Sequence, residues 1–108
     1  MFNKPAITVL TYKPKESFLK EILAGIEEEG VNFEVQADDE KDAAFLSEKA
    51  SKISKLEVGI AVIENQAFVH VRNLPKGKYL FKIETEEVAR YAGYNAARYV
   101  KGNPFVQI

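Results

Sequence analysis

The apolar run Val58–Ile63, which reads Val-Gly-Ile-Ala-Val-Ile, limits the possible folds more than any other part of the sequence. A strand without a polar side has to be covered on both faces, which predicts helices above and below a sheet. A second strand is predicted at 66–72. Only Glu64 and Asn65 separate it from the first, which is predicted at 57–63, so the two strands are expected to form a tight antiparallel hairpin.

The rest of the chain alternates strands with helices. Strands rich in β-branched and aromatic residues, or with apolar and polar residues alternating, are predicted at 6–12, 31–36 and, shorter, at 79–83. Helices are predicted at 15–29, 43–54 and 86–101, with Gly30 as a left-handed terminator and Asp42 and Thr85 as N-caps. The loop 73–78 and the tail 105–108 complete the chain. This order predicts an α/β sandwich with a mixed sheet, formed as one domain over residues 1–108.

Periodicity also predicts which side chains are buried. The first helix is expected to bury one stripe, the second helix a smaller one, and strand 31–36 its odd-numbered side chains. The first helix is expected to bury Phe18, Leu19, Ile22, Leu23 and Ile26, and the second helix Phe45, Leu46, Ala50 and Ile53. The strand is expected to bury Val31, Phe33 and Val35. In the last helix, Ala89, Gly93, Ala96 and Val100 are expected to pack on the sheet, with contact to another subunit as the alternative. Three tyrosines, a residue type common in interfaces, lie among them: Tyr91, Tyr94 and Tyr99.

Charge and composition exclude several classes of function. A net charge of −1 gives no electrostatic footprint for nucleic acid. The absence of cysteine excludes disulfides, thiolate zinc sites and cysteine nucleophiles. No apolar run reaches the roughly 20 residues needed to span a membrane, and the N-terminus lacks the pattern of a secretory signal. We therefore expect a cytoplasmic protein that binds neither membrane nor nucleic acid.

No set of catalytic residues is recognisable. His70 is the only histidine, and no Ser-His-Asp arrangement surrounds it in the sequence, so a structural role is expected. Gly59 lies inside a strand, and the sequence around Gly77 lacks the spacing of a phosphate-binding loop. These observations favour a binding subunit over an enzyme, with no catalytic residue.

Three glutamates, Glu27 to Glu29, end the first helix, where the partial negative charge of the helix makes acidic side chains unfavourable. On a helical wheel Glu29 falls beside the buried stripe, Glu27 on its flank and Glu28 nearly opposite. Ala24 and Gly25, one turn earlier, are expected to leave a flat surface beside Glu28. A glycine inside a helix also suggests a close neighbour. The pattern leaves two interpretations open: a contact to a cation or a basic partner, or an ordinary solvated helix end.

Four blocks of the sequence resemble, in the same order, the small subunit of glycerol/diol dehydratase reactivating factors. They are residues 22–33 (Ile-Leu-Ala-Gly-Ile-Glu-Glu-Glu-Gly-Val-Asn-Phe), 58–61, 69–75 and 93–105. The resemblance implies a three-layer α/β/α sandwich with a mixed sheet of four to five strands, similar to anticodon-binding domains and to the medium subunit of cobalamin-dependent dehydratases. It also implies a non-catalytic subunit of a chaperone-like complex.

In that complex a large subunit hydrolyses ATP, and the small subunit is exchanged with the dehydratase medium subunit so that damaged cobalamin leaves. The resemblance implies a hetero-oligomer with two copies of each subunit and transient contact with the dehydratase. It assigns the middle glutamate, here Glu28, to a Mg²⁺ ion shared with the large subunit, with Ala24 and Gly25 as further interface residues. No cofactor is expected on the isolated chain: ATP or ADP belongs to the partner, and cobalamin to the client dehydratase. The expected location is the cytoplasm, including bacterial microcompartments.

Two alternatives stay open at this point. One is a medium-type subunit of a dehydratase; the direct start at the first strand and the lack of a lysine in 63–66 count against it. The other is an interaction domain that self-associates as a homodimer through the flat surface around Glu28. The segments 38–42, 64–66 and 79–86 and the residue Tyr94 depart from the family pattern. The resemblance does not distinguish a glycerol pathway from a propane-1,2-diol pathway.

Overall fold

The computed structural model describes residues 4–107, so residues 1–3 and the last residue of the predicted tail 105–108 lie outside the described part. The strands are β1 (Ile7–Tyr12), β2 (Phe33–Ala37), β3 (Val58–Ile63), β4 (Gln66–Val71) and β5 (Phe81–Ile83). The helices are α1 (Glu16–Glu28), α2 (Ala43–Ile53) and α3 (Ala89–Lys101). The predicted order of elements is confirmed, including the fifth strand.

The five strands form one mixed sheet in the order β2-β1-β3-β4-β5. Strand β1 pairs in parallel with β2 and β3, whereas β4 is antiparallel to β3 and β5. Ile63 pairs with Gln66, and Glu64 has a φ of 53°, so the predicted hairpin is confirmed. None of the helices within residues 4–107 is long and apolar enough to cross a membrane.

The helices cover the sheet on both faces, which gives the expected three-layer sandwich. One hydrophobic cluster joins α1 and α3 to one face, through side chains such as Ile22, Ile60 and Ala92. A smaller cluster joins α2 to the other face, through Leu46 and Phe68 among others. Strand β3 is therefore buried on both sides, as its apolar sequence predicts.

Helix α2 buries a different face from the one predicted. Leu46 and Ala50 are buried, but Phe45 and Ile53 are 52% and 47% exposed. Serines are buried instead: Ser47 and Ser51 in α2, and Ser54 just after it. Ser51 Oγ lies 2.8 Å from His70 Nδ1, and Ser54 Oγ donates to the Ala6 carbonyl at 2.6 Å. His70 is fully buried between α2 and the 73–78 loop, where its Nε2 lies 3.4 Å from the Pro75 carbonyl oxygen. This position agrees with the expected structural role of His70.

Strand β2 and the start of α3 also differ from the prediction. The expected half-buried alternation over 31–36 is wrong for Val35, which is 42% exposed because β2 is an edge strand. Thr85 makes no side-chain cap; a 3₁₀ turn at Glu86–Val88 precedes α3. By contrast Asp42 caps α2 as predicted, accepting hydrogen bonds from the Ala44 and Phe45 amides at 2.9 and 3.2 Å.

Candidate functional site at the end of the first helix

Glu28 and Glu29, at the end of α1, lie beside α3, and the two helices run in the same direction. Their contacts advance together along both helices, from Glu21 with Arg90 to Glu29 with Lys101. Two glycines allow this close packing. A Cβ on Gly93 would overlap the Ile22 carbonyl oxygen, and a Cβ on Gly25 would overlap the Arg90 carbonyl oxygen. Helix α1 therefore packs through a second position, Gly25, which has no side chain and lies outside the predicted hydrophobic stripe.

This packing corrects the expected flat surface. Gly25 is buried, and Ala24 is half-buried beside it. The neighbour that a helical glycine suggests is α3 of the same chain rather than another subunit. Gly93 likewise packs on α1 and not on the sheet, while Ala89 and Ala96 lie in the core as predicted. The interface role expected for Gly25 therefore has no exposed surface to support it.

Glu28 is half-exposed and is held by two side chains of α3. Its Oε2 accepts a hydrogen bond from Arg90 Nη1 at 2.7 Å, and its Oε1 accepts one from the Tyr94 hydroxyl at 2.7 Å. The hydrogen bond to this carboxylate raises the pKa of Tyr94 above its ordinary value. Glu28 thus lies at the α1–α3 edge, and the wheel position opposite the core is only partly correct.

Arg90 joins two carboxylates on α1. Its Nε and Nη2 donate to the two oxygens of Glu21 at 3.0 and 3.1 Å, in the bidentate arrangement typical of guanidinium–carboxylate pairs. Its remaining nitrogen Nη1 donates to Glu28. The hydrogen bonds to Glu21 are the largest cause that raises the pKa of Arg90, and the charge of Glu28 adds a smaller contribution, so the guanidinium stays charged. We call Glu21, Glu28, Arg90 and Tyr94 the Glu28 cluster.

Glu29 closes the same end of α1 and is less exposed than Glu28. Its side chain accepts hydrogen bonds from Arg98 Nε at 3.1 Å and Lys101 Nζ at 2.8 Å, and Lys101 also donates to its backbone carbonyl at 2.7 Å. Gly30, with a φ of 75°, ends the helix as predicted. Cations of α3 therefore compensate the side chains of Glu28 and Glu29 and the Glu29 carbonyl at the negative end of α1.

Replacement of Glu29 by glutamine is expected to lower the free energy of unfolding by about 1 kcal/mol at neutral pH, because Arg98 and Lys101 lose their counter-charge. The hydrogen bond from Lys101 is the largest cause that holds the pKa of Glu29 below its ordinary 4.5. A carboxyl with a lowered folded-state pKa stabilises the fold above its unfolded pKa, and the contribution is lost as the pH falls through the folded value. Urea unfolding at several pH values should show the difference shrinking below 4.5. The exposed neighbour variant Glu27→Gln serves as the control, and a pH-independent difference would contradict the explanation.

The Glu28 cluster offers one accessible carboxylate to a metal and does not form a complete metal site. Within residues 4–107 no group of three or more His, Asp or Glu side chains is arranged to hold a metal ion. Mg²⁺ prefers six oxygen ligands and keeps several waters, so one carboxylate fits it as a single ligand only. The second carboxylate of the cluster, Glu21, is already paired bidentately with Arg90.

A shallow depression lies elsewhere, between residues 38–41 and the outer face of α2. Exposed Phe45 and Ile53 lie in it, and Lys76 Nζ is 3.7 Å from the centre of the Phe45 ring. Asp38 in it accepts a hydrogen bond from Lys49 at 2.6 Å, which lowers the pKa of Asp38. The depression contains no nucleophile with an adjacent base, so it does not provide a catalytic arrangement.

Sequence reasoning identified Glu28 but missed the side chains that hold it. Arg90 and Tyr94 are close to Glu28 only because α1 and α3 cross in parallel. The available signal was charge pairing between two helices, with acids at 21, 28 and 29 and bases at 90, 98 and 101. Without the register of the crossing, that signal does not show which pairs form.

The fold and the site are those of a three-layer sandwich that presents a carboxylate at the C-terminal end of its first helix. Residues 4–106 match the family described as dehydratase medium subunit. The propanediol dehydratase-reactivating factor small subunit of Salmonella typhimurium is 38% identical over 95% of this chain and 91% of its own length. The diol dehydratase-reactivating factor small subunit of Klebsiella michiganensis is 36% identical over 95% and 85%.

Solved structures agree with the sequence relatives. A chain from the structure of diol dehydratase-reactivating factor complexed with ADP and Mg²⁺ superposes with a TM-score of 0.89 at 35% identity, over 97% of this chain and 100% of that chain. A chain of glycerol dehydratase reactivase gives a TM-score of 0.88 at 25% identity, over 96% and 98%. The chain belongs to the dehydratase medium-subunit family, in its branch of reactivating-factor small subunits, which are accessory subunits.

Proposed function

We propose that this chain is the non-catalytic small subunit of an ATP-dependent reactivating factor for an adenosylcobalamin-dependent glycerol or diol dehydratase. It binds a large subunit that hydrolyses ATP, and it exchanges with the medium subunit of the dehydratase so that damaged cobalamin is released. The observation that carries the proposal is the superposition, over nearly the whole of both chains, on a reactivating factor complexed with ADP and Mg²⁺. Shared family membership with the dehydratase medium subunit supports the exchange step, because two chains of one fold are able to occupy one docking site.

We further propose that Glu28 supplies one ligand to a Mg²⁺ ion at the interface with the large subunit. The carboxylate is half-exposed and lies at the α1–α3 edge, whereas the neighbouring Glu29 is paired by Arg98 and Lys101. The large subunit and water then supply the remaining oxygens. Arg90 and Tyr94 hold Glu28 in the free chain, so the ion has to compete with them. The free-energy cost of displacing them is small, since exposed ion pairs contribute about 0.2–1 kcal/mol each.

Co-purification tests the proposal. A tagged form of this chain, produced together with the large and the dehydratase subunits from the same source, is expected to retain the large ATPase subunit in the presence of ADP and Mg²⁺. Adding dehydratase is expected to release free medium subunit, which native electrophoresis detects. Stable incorporation into the dehydratase, with no binding to the ATPase, would instead identify the chain as a medium-type subunit.

A further inference from the structure

Within residues 4–107, one side of the edge strand β2 presents a row of backbone hydrogen-bonding groups that pair with no other strand. The Ile7 amide donates to the Asn32 carbonyl, and the Asp38 amide donates to the Thr11 carbonyl, so the even-numbered residues of this segment bond to β1. In a parallel pair, alternate residues direct their N–H and C=O groups to opposite sides. The backbone groups of Phe33, Val35 and Ala37 therefore point away from the sheet. The strand contains no proline, lysine or bulge of the kind that protects many edges.

We infer that β2 pairs antiparallel with β2 of a second copy of this chain, about a two-fold axis at Val35. In this register Val35 is opposite its own copy and Phe33 is opposite Ala37, and each of these pairs exchanges both of its N–H···O bonds. The outward groups of the two strands therefore match without any shift. The sheets of the two copies would join into one continuous sheet.

The side chains are self-complementary in the same register. Phe33, Val35 and Ala37 lie on the face that carries α1, because they pair with Ile7, Val9 and Thr11. The large Phe33 is then opposite the small Ala37, and the 42% exposed Val35 is covered by its copy. On the other face Glu34 is opposite the uncharged Gln36, which avoids a like-charge pair. A register centred on Glu34 would oppose two carboxylates and use groups already bonded to β1.

This surface differs from the one first expected to self-associate. The region around Gly25 is covered by α3, whereas the β2 edge ends the sheet. One short strand buries less than a standard interface, so the dimer is expected to be weak and to form at high concentration. The inference does not depend on the proposed function, because it concerns the chain alone.

Disulfide trapping tests the register. The sequence has no cysteine, so the variant Val35→Cys introduces a single thiol. Opposed residues of a hydrogen-bonded antiparallel pair have Cα atoms about 5.5 Å apart, within the range of a disulfide. The variant is expected to form a covalent dimer in a glutathione redox buffer, as seen by non-reducing electrophoresis. The matched control Ala37→Cys is expected to stay monomeric, since its copies would lie about 13 Å apart, four residues along the strands.

Sedimentation velocity of the native sequence gives a second measurement. The mass of the native chain is expected to rise with concentration, and the variant Val35→Pro is expected to raise the dimer Kd at least tenfold. Proline removes only an outward amide, so the ladder with β1 is retained, and circular dichroism checks that the variant folds. Equal trapping of both cysteine variants, no trapping of either, or a native chain that is monomeric at every concentration would overturn the inference.

Discussion

Replacement of Gly93 by alanine is expected to destabilise the fold by about 3 kcal/mol, the upper part of the range for overpacked interiors. The added Cβ would overlap the Ile22 carbonyl oxygen and lie 2.8 Å from the Ile26 amide nitrogen, both backbone atoms of α1. Backbone cannot move aside as a flexible side chain can, so α1 and α3 have to separate. The loss exceeds the roughly 1 kcal/mol by which alanine favours a helix over glycine. Urea denaturation measures the difference.

The variant Gly30→Ala is the matched control for this prediction. Nothing lies within 4 Å of a Cβ built on Gly30, so its cost is limited to the positive φ of 75°. A left-handed conformation costs about 1–2 kcal/mol for a residue with a side chain. The double variant with alanine at Gly25 and Gly93 is expected to lose less unfolding free energy than the two single variants together, because both alanines obstruct the same helix crossing. A Gly93→Ala variant no less stable than Gly30→Ala would contradict the close packing of α1 on α3.

The variant Glu28→Gln is expected to weaken Mg²⁺-dependent association with the large subunit at least tenfold, equivalent to about 1.4 kcal/mol. Glutamine keeps the shape of the side chain but removes the negative charge that a magnesium ion requires. Isothermal titration with the large subunit, in Mg²⁺ and in a chelator, measures the effect. Glu27→Gln is the matched control, because Glu27 is an exposed acid of the same helix end.

Two further results bear on the role of the Glu28 cluster. Arg90→Met removes the cation that competes with Mg²⁺ for Glu28. Mg²⁺-dependent binding to the large subunit is expected to tighten two- to fivefold, a change of the size that one surface ion pair contributes. Unfolding of Glu28→Gln is expected to change by about 1 kcal/mol or less, since its two hydrogen-bond partners are on the surface. An unchanged affinity of Glu28→Gln in Mg²⁺ would contradict the proposed metal contact, even where co-purification with the large subunit succeeds.

Much of the fold is predictable from local patterns. The apolar sequence of β3 requires cover on both faces, Glu64 and Asn65 leave room only for a tight hairpin, and Asp42 has the side chain and position of an N-cap. These features depend on a few neighbouring residues, so the sequence contains all the necessary information. The resemblance of four sequence blocks gave the family, which the comparisons confirm.

The errors come from the arrangement of elements in space. The apolar spacing of Phe45 and Ile53 is as regular as that of a buried stripe, yet α2 turns Ser51 inward to reach His70. The alternation in β2 predicts a buried Val35, but whether a strand lies at an edge is decided by sheet order. Glycine has no hydrophobic signal, so the second packed face of α1 at Gly25 was interpreted as surface. In each case the arrangement of elements distant in sequence outweighs the local period.

The glycine-mediated crossing of α1 and α3 also has a kinetic consequence. Because their backbones are in direct contact, the two helices have little freedom to slide, so the end of α1 that bears Glu28 is rigid. To leave Arg90 and Tyr94 for the proposed Mg²⁺ ion, the carboxylate needs only rotation about its own side-chain bonds, and such rotations take picoseconds to nanoseconds at exposed positions. The proposed Mg²⁺ contact at this end of the molecule therefore needs no slow opening step in this chain. The rate of association through that contact should therefore show no saturation that originates from a conformational change of this chain.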